Sequence, residues 1–192
     1  SLKAILAGLG LAVVIGGIVG GFAAAGVFST EEIIVIKADK VAVAPDAPVS
    51  METIDGLVTV RMLTGTVGKP MDLRYQPLSV RQVPELPEGF ETTASNFDLS
   101  LSEDGDSASG PVVLNEAITV TVNSIGEAIA AAQGLEANLV IQHYKGRDGW
   151  NELPTTIDFA ASTASAQVDS LSLFALTVRR ALAIPRSEIT PE

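Results

Sequence analysis

The sequence predicts an α+β protein: a long hydrophobic N-terminal α-helix over residues 1–30, followed by an antiparallel β-sandwich head over residues 31–192. Three observations carry that reading. No charged residue occurs between Lys3 and Glu31, and Ala4 to Phe28 is apolar or glycine throughout. Beyond it, short runs rich in β-branched residues alternate with glycine and proline. With 192 residues in all, about 160 remain for one further domain.

The N-terminal segment is long enough to span a bilayer, since about 20 apolar residues at about 1.5 Å each cover a hydrocarbon core of roughly 30 Å. Its uncharged run also exceeds the roughly 7–15 residues of a signal-peptide core. The chain starts with Ser1 rather than Met, which suggests that a shorter leader is removed and the apolar segment is retained. Ala4, Gly8, Ala12, Gly16, Gly20 and Ala24 form an i, i+4 series, with Gly17, Gly21 and Ala25 beside it. Gly16 with Gly20, and Gly17 with Gly21, are overlapping G-x-x-x-G pairs, a spacing that lets helix backbones approach closely in apolar surroundings.

A helix that is apolar all round must be buried in lipid or in protein. Each glycine costs about 1 kcal/mol of helix propensity relative to alanine, and close packing must offset that. The candidate helix-packing residues are therefore Gly8, Ala12, Gly16, Gly17, Gly20, Gly21 and Ala24. A glycine-rich single-pass anchor is the plainer alternative.

Strand signals follow in the head. Ile33 to Ala44 is β-branched and partly alternating, although its start can extend the preceding helix through Glu31 and Glu32. Leu57 to Leu63, Met71 to Val83, Phe97 to Leu101, Ile118 to Val122, Ala137 to Tyr144 and Leu171 to Val178 come next. Gly65, Gly68, Gly89, Gly105, Gly110 and Gly149 mark turns, and Pro70, Pro77, Pro84 and Pro87 mark edges and connections. Ile125 to Gln133, rich in alanine, is the one helical candidate here. Asp148-Gly149 signals a hairpin, and Trp150 after it is expected to pack across the sheet.

Composition narrows the chemistry. A formal net charge of −11 disfavours nucleic acid and anionic membrane surfaces as partners. No cysteine is present, which removes disulfides, thiol catalysis and thiolate metal sites. His143 stands alone in a strand-like run, the setting of a packed or surface side chain rather than of a ligand or base. No nucleophile elbow, zinc-protease, P-loop or dinucleotide fingerprint occurs, so the expectation is no enzyme, no catalytic residue and no cofactor. Glu103-Asp104-Gly105-Asp106-Ser107 is the one metal-like cluster. Asp104 and Asp106 are its weak candidates, but the cluster lacks EF-hand register and reads as a solvated turn.

An apolar N-terminal helix carrying a small β-rich head resembles the type IV pilin superfamily, and most of all archaellins and archaeal-type pilins. The likeness rests on Ser1 to Phe28, with Ile5 where bacterial pilins carry a glutamate. It implies a structural subunit of an extracellular helical homopolymer, serving motility or adhesion. Such a subunit is inserted in the cytoplasmic membrane before assembly and contacts identical subunits afterwards.

From Leu57 to Val178 the chain also resembles ZU5-like β-sandwich modules. The match lies in Pro77-Leu78-Ser79-Val80, Phe97-Asp98-Leu99, His143 to Asp158 and Ala166 to Leu176. That likeness implies adhesion or scaffolding without catalysis, and it keeps open a membrane-anchored cell-surface binding module. Arg179 and Arg180 are expected to pair with carboxylates of a neighbouring subunit.

Overall fold

The computed structural model describes residues 33, 35–103, 106–107 and 112–180. In chain order its strands are β1 (Val35–Lys37), β2 (Lys40–Val43), β3 (Val49–Glu52), β4 (Val58–Met62), β5 (Met71–Pro77), β6 (Phe90–Glu103) and β7 (Asp106–Ser107). After β8 (Val112–Val122) comes the helix α1 (Gly126–Ala131). Then follow β9 (Leu139–Tyr144), β10 (Trp150–Glu152), β11 (Thr155–Asp158), β12 (Thr163–Leu171) and β13 (Leu173–Arg179).

The strands form two sheets. The first has the order β1-β3-β4-β8-β12-β11, and the second β10-β9-β13-β6-β5-β2 with β7 paired to β6. Every pairing is antiparallel except that of β1 with β3. Side-chain alternation drives this arrangement. In β4, Val58, Val60 and Met62 are buried while Thr59 and Arg61 turn outward, and in β12 Ala164, Ala166 and Val168 do the same. The inward faces of both sheets close one core around Met51, Val120, Leu73, Leu99, Ile141 and Leu176.

A row of rings crosses the core face of the second sheet. Tyr75, Phe97, Phe174 and His143 follow one another at centroid spacings of 5.9, 5.5 and 4.3 Å, from β5 through β6 and β13 to β9. Val140, Ala175, Gln142 and Thr177 are buried too, but strand alternation turns them to the other face of that sheet. The connection 78–89 joins β5 to β6. As it leaves β5, Leu78 N–H donates to Asn96 O of β6 at 2.8 Å, and Glu85 O accepts from Trp150 Nε1 at 2.9 Å.

The expected α+β class is thereby corrected: the described residues form a β-sandwich with one short α-helix among them. Among the described residues, period-two alternation broken by glycine and proline leaves one alanine-rich run to form an α-helix. The expected N-terminal helix, with Gly8, Ala12, Gly16, Gly17, Gly20, Gly21 and Ala24, lies outside the described residues. Among the described residues no helix is long and apolar enough to cross a membrane.

Other expectations shift locally. The run from Ile33 to Ala44 is not one strand: it passes between the sheets at Ala38 and Asp39. Asp39 holds the crossing by accepting from Ile54 N–H on Oδ1 at 2.9 Å and from Tyr75 N–H on its carbonyl at 2.8 Å. The run from Met71 ends at Pro77, and a short 3-10 turn follows over Val80–Gln82. Trp150 sits half-buried on an edge strand, tilted against Tyr144 at 5.2 Å, rather than in the core.

Candidate functional site

A cleft of about 900 Å³ opens at one end of the sandwich, between α1 and the start of β6, within the roughly 300–1,000 Å³ typical of ligand sites. Three local irregularities shape it. The first is a bulge in β6: Ala175 pairs with Asn96 and Thr177 with Thr92, so the bulged strand carries two extra residues. Threonine hydroxyls make this stable. Thr93 Oγ1 donates to Leu176 O at 2.8 Å, satisfying a carbonyl that the bulge strips from the ladder, and accepts from Ser95 N–H at 3.1 Å. Asn96 Nδ2 closes the bulge onto Thr93 O at 2.9 Å.

The second and third irregularities flank α1. Ser124, just before the helix, has φ 57°, and Gln133, just after it, also has φ 57°. Gln133 belongs to a helix-ending motif in which its N–H donates to Ala130 O and Gly134 N–H donates to Ile129 O, both at 3.0 Å. Glycine is the residue best suited to such a position, and a side chain with φ in the left-handed region carries a penalty. Of the three non-glycine residues with positive φ among the described residues, Ser124 and Gln133 line the cleft and Ser162 does not.

The rim charges are paired within the chain. Arg180 forms an ion pair with Glu91. Arg179 pairs with Glu152 and lies over the Phe90 ring at 5.2 Å. Both arginines, expected to pair with a neighbour's carboxylates, are thus engaged by carboxylates of the same chain. Glu127, on α1, faces the same cleft with no ion-pair partner among the described residues.

His143 lies on the core face of β9 and is 1% exposed. Its Nε2 is 2.9 Å from Ser172 Oγ, the contact of a nucleophile and its base. The protons run the other way. The single hydroxyl proton of Ser172 goes to the Tyr144 carbonyl, so Ser172 accepts from His143 Nε2–H, and Nδ1 is left as a bare acceptor with no partner. A nucleophilic serine would have to donate to the imidazole. Burial, followed by nearby Lys145 and against the pull of Asp169, drives the imidazole pKa down to about 4, so it stays neutral.

A second polar knot joins the two sheets. Asp55, in the turn between β3 and β4, accepts from Thr53 Oγ1 at 2.5 Å, Leu57 N–H at 2.9 Å and Tyr75 Oη at 2.7 Å. Burial raises the Asp55 pKa, but these three donors together outweigh it and leave the carboxyl below its usual range. Burial and the same carboxylate push the Tyr75 hydroxyl upward.

Of the metal candidates, Asp104 lies outside the described residues, and Asp106 is placed only by its backbone pairing with Glu103. Glu103 itself pairs with Lys69. Among the described residues no group of three or more histidines and carboxylates gathers to hold a metal. Sequence reasoning missed the cleft because its makers are backbone irregularities. The legible hints were Thr92-Thr93 inside a strand and the glutamine before Gly134. No known protein family matches this chain, and no curated protein matches it.

Proposed function

We propose that this chain is a structural subunit of an extracellular helical filament, archaellum-like or pilus-like, assembled through its apolar N-terminal segment and serving motility or adhesion. The observation that carries the reading is the uncharged run from Ala4 to Phe28, with small residues at every fourth position, joined to a β-sandwich. Small residues at that spacing suit close packing among identical copies far better than a solitary span, which needs only hydrophobicity. The partners are identical subunits, and the segment rests in the cytoplasmic membrane before assembly. No catalytic step or cofactor belongs to this reading.

A membrane-anchored cell-surface binding module is the second reading, favoured by the cleft beside α1. Replacing Gly16 and Gly20 together with leucine separates the two. The filament account expects the variant to insert in the membrane normally and to form no filaments. Filaments of normal abundance from that variant would count against packing through these glycines.

A further inference from the structure

We propose that the Tyr144 and Trp150 rings form a docking seat for an acidic, proline-stiffened segment, filled within one chain by residues 84–87 and in the assembly by the same segment of a second copy. Trp150 pairs with Tyr144 across β9 and β10, so both rings stand on the face of the second sheet that points away from the core. They are half-buried and tilted together with centroids 5.2 Å apart. Trp150 Nε1 donates to Glu85 O at 2.9 Å, in the middle of the run Pro84, Glu85, Leu86 and Pro87. Aromatic surfaces recognise proline-rich segments in this way, with rings against the prolines and an indole N–H on a main-chain carbonyl.

The segment is shaped for such a seat. Residues 84–87 belong to no helix or strand, and Val83 before them is extended, with φ −80° and ψ 127°. Pro84 and Pro87 hold φ at about −65°. The run is therefore stiff and extended before it docks, and it loses little conformational entropy on docking. Pro84 and Leu86 are half-buried, whereas Glu85 and Pro87 are exposed.

The segment is also lightly tethered. The ends of the connection are fixed, by Leu78 N–H on Asn96 O and by Arg180 N–H on Gly89 O, both at 2.8 Å. Between those anchors, the remaining hydrogen bonds of residues 79–88 join near neighbours in the same stretch. Among the described residues, only the bond from Trp150 ties the middle of the connection to the sheet. Pro84 and Leu86 border a hollow of about 410 Å³ whose other wall includes Phe90 and Thr92 of β6. A segment bonded once, with open space beside it, can leave its seat while both anchors stay in place.

Charge complementarity points to a second copy as the partner. The turn between β9 and β10 carries Lys145 and Arg147 against the single Asp148, and the segment and its flank carry Glu85 and Glu88. Lys145 pairs with Asp169, but Arg147, Glu85 and Glu88 form no ion pair among the described residues. In a chain of net charge −11, that turn is a corner where an equally acidic copy meets attraction rather than repulsion. Seat and segment lie on the same chain, so each copy brings both halves of the contact and exchange preserves every interaction. That copies lie side by side rests on the filament reading; the seat itself does not.

Trp150 is the only tryptophan, so its emission reports on the seat directly. In the full chain in detergent, Pro84→Gly combined with Pro87→Gly should soften the segment and shift that emission to the red. A synthetic peptide of residues 82–89, which contains no aromatic residue, should reverse the shift at millimolar concentration, and a scrambled peptide of the same composition should not. Tyr144→Ala in the same background should abolish the reversal. Exchange between copies is read by mixing the doubly substituted chain with excess Trp150→Phe chain, which keeps the segment and emits no tryptophan signal; the shift should reverse here too. In the parent chain, excess peptide should raise amide exchange over residues 79–88 as the resident segment is displaced, a measurement that does not depend on the folding of any variant. No reversal by the peptide, equal reversal by the scrambled peptide, or unchanged exchange in the parent overturns the seat. Reversal by the peptide but not by the Trp150→Phe chain overturns the second copy as partner. Electron microscopy of the same preparations reports on filaments separately, so a failure of the filament reading is distinguished from a failure of the seat.

Discussion

The imidazole of His143 lies face to face on the Phe174 ring, with centroids 4.3 Å apart and planes 7° apart. This stack ends the aromatic row that crosses the second sheet. It also seals Nδ1, an acceptor with no partner, inside the apolar layer. Protonation there would place a charge and an unmatched N–H in the core.

A pH dependence follows. The folded-state pKa is about 4 against 6.5 in the unfolded chain, so between those values the unfolded state binds more protons. Stability is therefore fully present above pH 6.5 and falls as pH drops toward 4, by about 3 kcal/mol in total. His143→Leu should flatten the fall across that window. Asp55 adds a separate loss at lower pH, within the carboxylate range, because its folded pKa is depressed. Burial raises Asp98, which acts in the opposite direction. Melting temperatures of the parent and variant chains across pH 4–7 check the difference.

Tyr75→Phe keeps the ring against Phe97 and removes only the hydroxyl that reaches Asp55 Oδ2 at 2.7 Å. Because that bond links β5 to the turn between β3 and β4, its loss should cost about 1.5–3 kcal/mol, as for hydrogen bonds to charged groups. Urea denaturation measures it. An unchanged midpoint would mean that the bond contributes nothing to joining the sheets.

Trp150→Phe should release the connection 78–89 without unfolding the sandwich. The variant keeps an aromatic ring beside Tyr144 and loses the Nε1–H bond to Glu85 O. A neutral hydrogen bond contributes about 0.5–1.5 kcal/mol, enough to raise amide exchange over residues 78–89 by about two- to tenfold. Hydrogen-exchange mass spectrometry resolves that peptide, and protection equal to the parent's would refute the role.

Gly149 has φ 74° and ψ −149° in the turn between β9 and β10, a region that side chains rarely enter. Gly149→Ala should destabilise by about 1–3 kcal/mol, although nothing within 4 Å obstructs the added Cβ. A thermal melt distinguishes backbone strain from steric crowding, because only the former predicts a loss in open space.

The strands that sequence reading located are those whose pattern is local. Val58 to Met62 alternates cleanly, Asp148-Gly149 announces its hairpin, and the alanines after Gly126 announce α1. Val49 to Glu52 was not legible: three of its four residues are buried, so no alternation marks it, and its pairing with both β1 and β4 is tertiary. The break at Ala38 was hidden because Asp39 looks like one polar residue within a strand until Ile54 and Tyr75 arrive from distant parts of the chain. The cleft was hidden for the same reason. Thr93 repairs a bulge only by reaching the Leu176 carbonyl, 83 residues away.

Electron microscopy of material sheared from the surface of cells producing this chain tests the filament account most directly. The account predicts uniform thin filaments that contain the chain. Recovery of the protein only in the detergent-soluble membrane fraction, with no filaments in the sheared material, would contradict it and leave the anchored binding module in its place.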